Sequence, residues 1–357
     1  MATDASSRLL EAVGIRVPII QAPMAGVSSP AMAAAVSNGG GLGSLGVGAM
    51  TADKARDTIH AFRQLSSGPL NVNLFVHRPA HADAAKEAAW LARLAPAFER
   101  FGAKPPQALT EIYTSFLVDD AMLAMLVAER PAVVSVHFGV PRPDQVKALH
   151  DAGIFLMGSA TTLREAQALE AAGIDAVVAQ GYEAGGHRGV FDPDADDSAL
   201  GTFALTRLLV KHIGVPVIAS GGIMDGAGIA AVLKLGAAAA QLGTAFVGTD
   251  ESLADAGYRK ALASDAAHAT VMTRAVSGRP ARSLASLFTR LGTDVQDADV
   301  PDYPIAYDAG KALNAAARAA GESGYGAHWA GQGAPMARTM SAGALLQTLI
   351  EEWRAAS

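Results

Sequence analysis

Short apolar runs rich in β-branched residues alternate along this chain with Ala- and Leu-rich stretches of helical period, the sequence form of repeated βα units. The runs predict strands at Pro18 to Ala22, Gly41 to Ser44, Leu70 to Leu74, Val133 to Val136, Phe155 to Gly158, Ala176 to Ala179, Val215 to Ala219 and Ala238 to Leu242. Between them the periodicity predicts helices over Pro30 to Ser37, Ala52 to Gln64, Pro143 to Ala152, Leu163 to Ala172, Thr202 to His212 and Gly226 to Leu235. Thr51 and Asp225 stand where helix N-caps belong, and Gly153, Gly173 and Gly236 just past helix ends. Eight such strands are the number a closed TIM (β/α)8 barrel needs, so the predicted fold class is α/β, a barrel.

The spacing breaks in two places. From His77 to Phe116 the chain carries a charged, Ala-rich helix (Ala80 to Arg100) and then Lys104-Pro-Pro106, too much for an ordinary connection. After Phe246 about a third of the chain remains, with helical patterns, a turn-rich stretch from Gly321 to Pro335 and a last helix from Ser341 to Ala355. The expected organisation is a barrel from residues 1–76 and 112–250, covered by a helical substrate-binding cap from residues 77–111 and 251–357. Such a cap excludes water from a barrel's catalytic face.

Composition narrows the chemistry. Half of the 357 residues are hydrophobic and 17% are charged, enough for a large core. A formal charge of −6 with no basic run argues against a nucleic-acid partner. The absence of cysteine excludes disulfides, thiolate metal sites and a cysteine nucleophile. The nine histidines form no metal-binding pattern, so no metal is expected. No apolar run reaches membrane-spanning length and the N-terminus carries no secretory pattern, so a cytoplasmic protein is expected.

Against that background the segment Gln180-Gly-Tyr-Glu-Ala-Gly-Gly-His187-Arg-Gly189 stands out. It places a histidine on glycine-rich, flexible backbone at the end of the sixth predicted strand, on the face where barrels carry their chemistry. Two more glycine-bearing turns, Ala219-Ser-Gly-Gly-Ile-Met-Asp225 and Gln241-Leu-Gly-Thr-Ala-Phe246, end the seventh and eighth strands. Barrels often bind phosphate there, because glycine lets backbone N–H groups approach an anion. Gly41-Leu-Gly43-Ser-Leu-Gly46 fits the dinucleotide string, but the barrel alternation argues against that use. Schiff-base chemistry is disfavoured, since Lys54, Lys147, Lys211 and Lys234 all fall in helical segments. A flavin mononucleotide suits these turns, with its phosphate at Ser220 to Gly222 and Gly243 to Thr244, and with Asn73 and Gln180 as ring partners.

With these segments in order, the chain resembles the nitronate monooxygenases, formerly 2-nitropropane dioxygenases, in their bacterial class I form, over nearly its whole length. The resemblance rests on Gln21-Ala-Pro-Met24-Ala-Gly26, Val134-Ser-Val-His137-Phe-Gly139, the His187 loop and Ala219-Ser-Gly-Gly222-Ile-Met-Asp-Gly226. Tyr303-Pro-Ile-Ala-Tyr307-Asp-Ala-Gly-Lys311 and Trp329-Ala-Gly-Gln332 extend it. It implies non-covalent FMN and oxidation of alkyl nitronates, such as propionate 3-nitronate, by O2 to a carbonyl compound and nitrite through a flavin semiquinone. His187 would then be the catalytic base. Flavin contacts would come from Pro23, Met24, Asn73, Gln180, Gly185, Gly186, Ser220, Gly221, Gly222, Gln241, Leu242, Gly243 and Thr244. His137, Tyr303, Tyr307 and Lys311 would border the substrate, the last three on one helix face by their i, i+4, i+8 spacing. Two other readings stay open: an FMN-dependent NAD(P)H:quinone or enoyl-thioester reductase on the same fold, and a non-catalytic flavin- or phosphate-binding barrel. Either a monomer or a homodimer is compatible with the sequence.

Overall fold

A computed structural model describes residues 4–357. Strands β1 (Ile19–Gln21), β2 (Gly43–Gly46), β3 (Leu70–Phe75), β4 (Val133–His137), β5 (Phe155–Ala160) and β6 (Ala176–Gln180) are followed by the two-residue β7 (Gly186–His187). The chain continues through β8 (Val217–Ser220), β9 (Ala239–Leu242), β10 (Thr270–Thr273) and β11 (Ala281–Leu284). All but β7, β10 and β11 form one parallel sheet in the order β1-β9-β8-β6-β5-β4-β3-β2. A parallel bridge between Ile20 and Leu42 joins its two ends, so the sheet is a closed barrel of eight strands.

The strands are short and apolar because both of their faces are buried, as in any helix-covered parallel sheet. One cluster packs the strands against the outer helices, with Val72, Val134, Leu156 and Val177 meeting Ile59, Leu126, Leu149, Leu169 and Leu205. A second fills the lower end of the barrel with Val133, Met157, Ala176, Ile218 and Ala238. The helix Asp4–Val13 and the turn after it cover that end with Leu9, Val13 and Ile15. That helix and another over Asp120–Glu129 were not visible in the apolar period. The predicted caps hold: Thr51 accepts from the Lys54 N–H, Asp225 accepts from the Gly228 N–H at 2.8 Å, and Gly153, Gly173 and Gly236 turn at positive φ.

Strand ends move by two residues at most, and at β2 both ends do. There Leu42 is used for barrel closure, and a Cβ at Gly43 would stand 2.0 Å from the Ala33 carbonyl oxygen, so this glycine lets the helix Pro30–Gly39 lie on the strand. The dinucleotide-like string thus runs through barrel closure and strand, not through a phosphate loop.

The two irregular stretches meet above the barrel. Helix Ala84–Glu99 packs on helix Ile305–Ala319 through Trp90, Leu94, Phe98, Ala309 and Leu313. Strands β10 and β11 form an antiparallel sheet with β7, pairing His187 with Ala281 and Gly186 with Arg282. The last helix, Ala342–Ala356, lies elsewhere: it packs on the barrel wall against Pro30–Gly39 and Gly226–Lys234. Among the described residues no helix is long and apolar enough to cross a membrane.

Candidate active site

At the C-terminal ends of the barrel strands lies a cavity of about 460 Å³, within the range of small-molecule sites. Its wall is assembled from the residue or two that end each strand: Pro23 and Met24 after β1, Gly46, Asn73, His137, Ser159, Gln180, Ser220 and Gln241. Of the residues singled out in the sequence, all but Leu242 line it. Alternation along β9 turns Gln241 inward and sends Leu242 into the core with Ile19, Val36 and Phe246.

The His187 loop is not loose. Gln180 clasps it, its Oε1 accepting from the Gly189 N–H at 2.7 Å and its Nε2 donating to the His187 carbonyl at 2.9 Å. His137 Nε2 donates to the same carbonyl at 3.1 Å. The glycines serve close approach: a Cβ at Gly185 would lie 2.5 Å from the Gly331 nitrogen, and one at Gly189 would lie 2.9 Å from His137 Cε1. Strand alternation then separates the neighbours. His187 faces the cavity, whereas Arg188 is buried on the other side in a two-pronged ion pair with Asp197 at 2.7 and 3.1 Å.

The His187 ring stands among aromatic side chains, with ring centroids 5.1 Å from Trp329, 5.3 Å from Tyr303, 5.7 Å from Phe138 and 6.1 Å from Tyr307. Its Nε2 is 2.9 Å from Ser277 Oγ. Burial drives its pKa down to about 3, helped by electrostatic coupling to His137, Arg279 and His77, with which it would share positive charge if protonated. Burial likewise lowers His137 and His77 to about 4. Arg279 is itself buried, its guanidinium carbon 4.2 Å from the Phe138 ring centroid; burial pushes it down to about 10, which leaves it cationic at neutral pH. All three imidazoles are therefore neutral near pH 7.

Across the cavity, Tyr307 and Lys311 lie one turn apart on helix Ile305–Ala319. Tyr303 departs from expectation: the helix begins at Ile305, so Tyr303 precedes it, yet its ring still reaches the cavity. Lys311 Nζ sits 4.7 Å from the Tyr113 ring centroid and 5.4 Å from that of Tyr307, and burial lowers its pKa. Burial also holds Tyr307 up at about 12, against a hydrogen bond from Trp329, so both tyrosines stay neutral.

The opposite end suits an anion. Gly221 and Gly222 follow β8 at φ of 120° and 71°, and the N–H groups of Gly222 and Gly243 donate to no acceptor among the described residues. Asn73 spends its amide N–H on Ser135 Oγ at 2.9 Å, which leaves its carbonyl oxygen for a ligand. Thr244 Oγ1 accepts from the Gly331 N–H at 3.0 Å. Tyr113, Trp329, Phe75 and Tyr258 also line the cavity and were not foreseen as part of it. Phe75 ends β3 and Tyr258 sits on helix Ala256–Leu262, whereas Tyr113 and Trp329 lie in irregular segments, and only the folded chain brings the four to the barrel mouth. No group of three or more His, Cys, Asp or Glu suited to a metal occurs among the described residues.

A parallel barrel whose strand ends enclose an aromatic-walled cavity around a neutral imidazole has the layout of a barrel enzyme. The pattern defining the family "Nitronate monooxygenase" matches residues 6–352. The chain is 63% identical to a nitronate monooxygenase from Paraburkholderia phytofirmans, covering 96% of this chain and 94% of that one. It is 55% identical to one from Pseudomonas aeruginosa, covering 99% of each. The chain therefore belongs to the nitronate monooxygenase family and is an oxidoreductase. A nitroalkane oxidase from Streptomyces ansochromogenes has the same fold, with a TM-score of 0.88 at 40% identity over 98% of each chain. FabK from Thermotoga maritima is similar at a TM-score of 0.73 and 28% identity, covering 98% of this chain and 96% of that one.

Proposed function

We propose that this enzyme holds FMN in the cavity and oxidises small alkyl nitronates, propionate 3-nitronate among them, with O2 to a carbonyl compound and nitrite, in the cytoplasm. The observation that carries this reading is the pairing of a neutral imidazole with the Lys311 ammonium across an aromatic cavity, beside glycine N–H groups that lack acceptors. The N–H groups of Gly222 and Gly243 would take the phosphate, and Asn73 and one N–H of Gln180 the ring. FMN, when bound, would supply the acceptor for electrons from the electron-rich α-carbon of the anion.

The protein's own part is binding, positioning and proton handling. Lys311 draws the anionic substrate, and the low-dielectric wall of Tyr113, Tyr303, Tyr307 and Trp329 strengthens that attraction. Given a neutral nitroalkane, His187 takes the α-proton: the C–H electron pair stays on the substrate as nitronate and the ring becomes imidazolium. An anionic ligand nearby raises the histidine's proton affinity from the low value of the empty cavity. The helical cover, residues 77–111 with much of 251–357, keeps water out of this step.

The test is a spectrum of the purified protein, then nitrite release from ethyl nitronate and propionate 3-nitronate in air, with an NADH control. A yellow protein making nitrite without NADH supports the reading; one bleached by NADH and inert to nitronates overturns it. His187→Asn is expected to retain flavin and lose turnover of neutral nitroethane by about 10²-fold or more, the usual scale for a general base.

A further inference from the structure

The proton inventory around Ser277 decides which nitrogen of His187 is the base. Ser277 is fully buried in a turn whose Gly278 N–H is bonded to the Arg274 carbonyl at 2.8 Å. Gly278 has a φ of 93°, and a Cβ there would lie 2.6 Å from the Pro301 carbonyl oxygen, so the turn fits closely against the segment leading to Tyr303. The serine hydroxyl has two neighbours: His187 Nε2 at 2.9 Å and the Arg279 carbonyl oxygen at 3.3 Å.

A hydroxyl has one hydrogen to give and lone pairs to receive. A carbonyl only accepts, and no other donor among the described residues reaches the Arg279 oxygen. If the hydroxyl proton went to His187 Nε2, that buried carbonyl would be left unsatisfied, which is unfavourable. If the proton goes to the Arg279 carbonyl, Ser277 accepts an N–H from His187 Nε2 and both groups are satisfied. His187 Nδ1 forms no hydrogen bond among the described residues and is not one of the sealed polar atoms, so it opens to the cavity.

We infer that Ser277 is a positioning residue that fixes His187 as the Nε2–H tautomer, presenting the bare Nδ1 lone pair to the substrate's α-carbon. This rests on His187 being the base proposed above. In the step, the α-proton moves to Nδ1, the C–H pair remains as the nitronate, and the imidazolium keeps its Nε2–H on Ser277. The serine accepts that bond before and after transfer, so no group has to rotate. The desolvated ring, neutral near pH 7, is in the state this assignment requires.

Two measurements on the flavin-loaded enzyme test it. Nitrogen-15 NMR of labelled histidine should show His187 with a protonated Nε2 and a bare Nδ1, and Ser277→Ala should give mixed tautomers. In kinetics, Ser277→Ala should lower the ratio of turnover on nitroethane to turnover on ethyl nitronate by about 10- to 100-fold, the worth of a hydrogen bond to a charged group. Ser277→Thr, which keeps a hydroxyl, should recover part of that ratio. A protonated Nδ1 in the unsubstituted enzyme, or identical tautomers and ratios in Ser277→Ala, overturns the assignment. If His187→Asn keeps full nitroethane turnover, the base reading fails instead, and the NMR result still decides the tautomer.

Discussion

At the residue scale, the site depends on a few close approaches that admit no extra atom. Gly185 is the sharpest: a Cβ there would meet the backbone of Ala330 and Gly331 at 2.5 to 2.9 Å, and backbone cannot give way as a side-chain tip can. Gly185→Ala is therefore expected to displace the His187 loop, costing about 1–3 kcal/mol. Urea denaturation together with nitrite release checks this: lower stability with lost turnover supports it, and an unchanged midpoint contradicts it. His187, Gln180 and the three glycine turns were legible because each is a local string at the end of an apolar run. Ser277 was not, since it lies 90 positions from its partner His187 and sits in no periodic segment.

At the element scale, the cover above the cavity is one packed unit built from two distant stretches of chain. Leu94 on Ala84–Glu99 and Leu313 on Ile305–Ala319 are both fully buried in a common cluster. Leu313→Ala should cost about 2–5 kcal/mol by removing buried methyl groups and leaving a void. Because Tyr307 and Lys311 ride on the same helix, KM for nitronates should rise in that variant as well. Chemical denaturation and steady-state kinetics on one preparation test both parts. The helix Ala84–Glu99 was anticipated a few residues too long; Asp83 sets its start by accepting from the Ala85 and Lys86 N–H groups at 3.0 Å. Strands β7, β10 and β11 were not anticipated: β7 lies inside the glycine-rich loop, and β11 buries Arg282 and Ser283 where an apolar run would mark a strand.

At the scale of the whole molecule, burying three histidines around Arg279 ties stability to pH. His77 and His137 sit at about 4 and His187 at about 3, each below the ordinary value of about 6.5. Above pH 6.5 neither the folded nor the unfolded chain protonates them, so they add no slope. Between pH 6.5 and about 4 the unfolded chain binds protons that the folded chain refuses, and stability falls as pH falls. Each pK unit of depression corresponds to about 1.4 kcal/mol at the bottom of that window. Urea midpoints at pH 7.5, 5.5 and 4.5 should decline steadily, and His77→Phe should flatten the decline. A midpoint that rises on acidification would contradict the burial of neutral rings. The orphaned nitrogens of His77, together with the unpartnered Tyr303 hydroxyl and Arg279 Nε, mark the same region as the least well-satisfied part of the fold.

The barrel is written locally: apolar runs buried on both faces, helices of 3.6 period, and caps such as Thr51 and Asp225 follow from nearest neighbours along the chain. So is the chemical bias of the strand ends, where glycine, histidine and amide side chains replace aliphatic ones. Three-dimensional packing alone decided which of these groups are ionised, because desolvation and the field of Arg279 come from segments far away in sequence. Packing also decided that the Gly-rich loop is held rather than mobile, since β7 pairs with β11 nearly a hundred positions later. The same long-range contacts set which nitrogen of His187 faces the cavity, for a tautomer is chosen by hydrogen-bond partners that only the folded chain assembles.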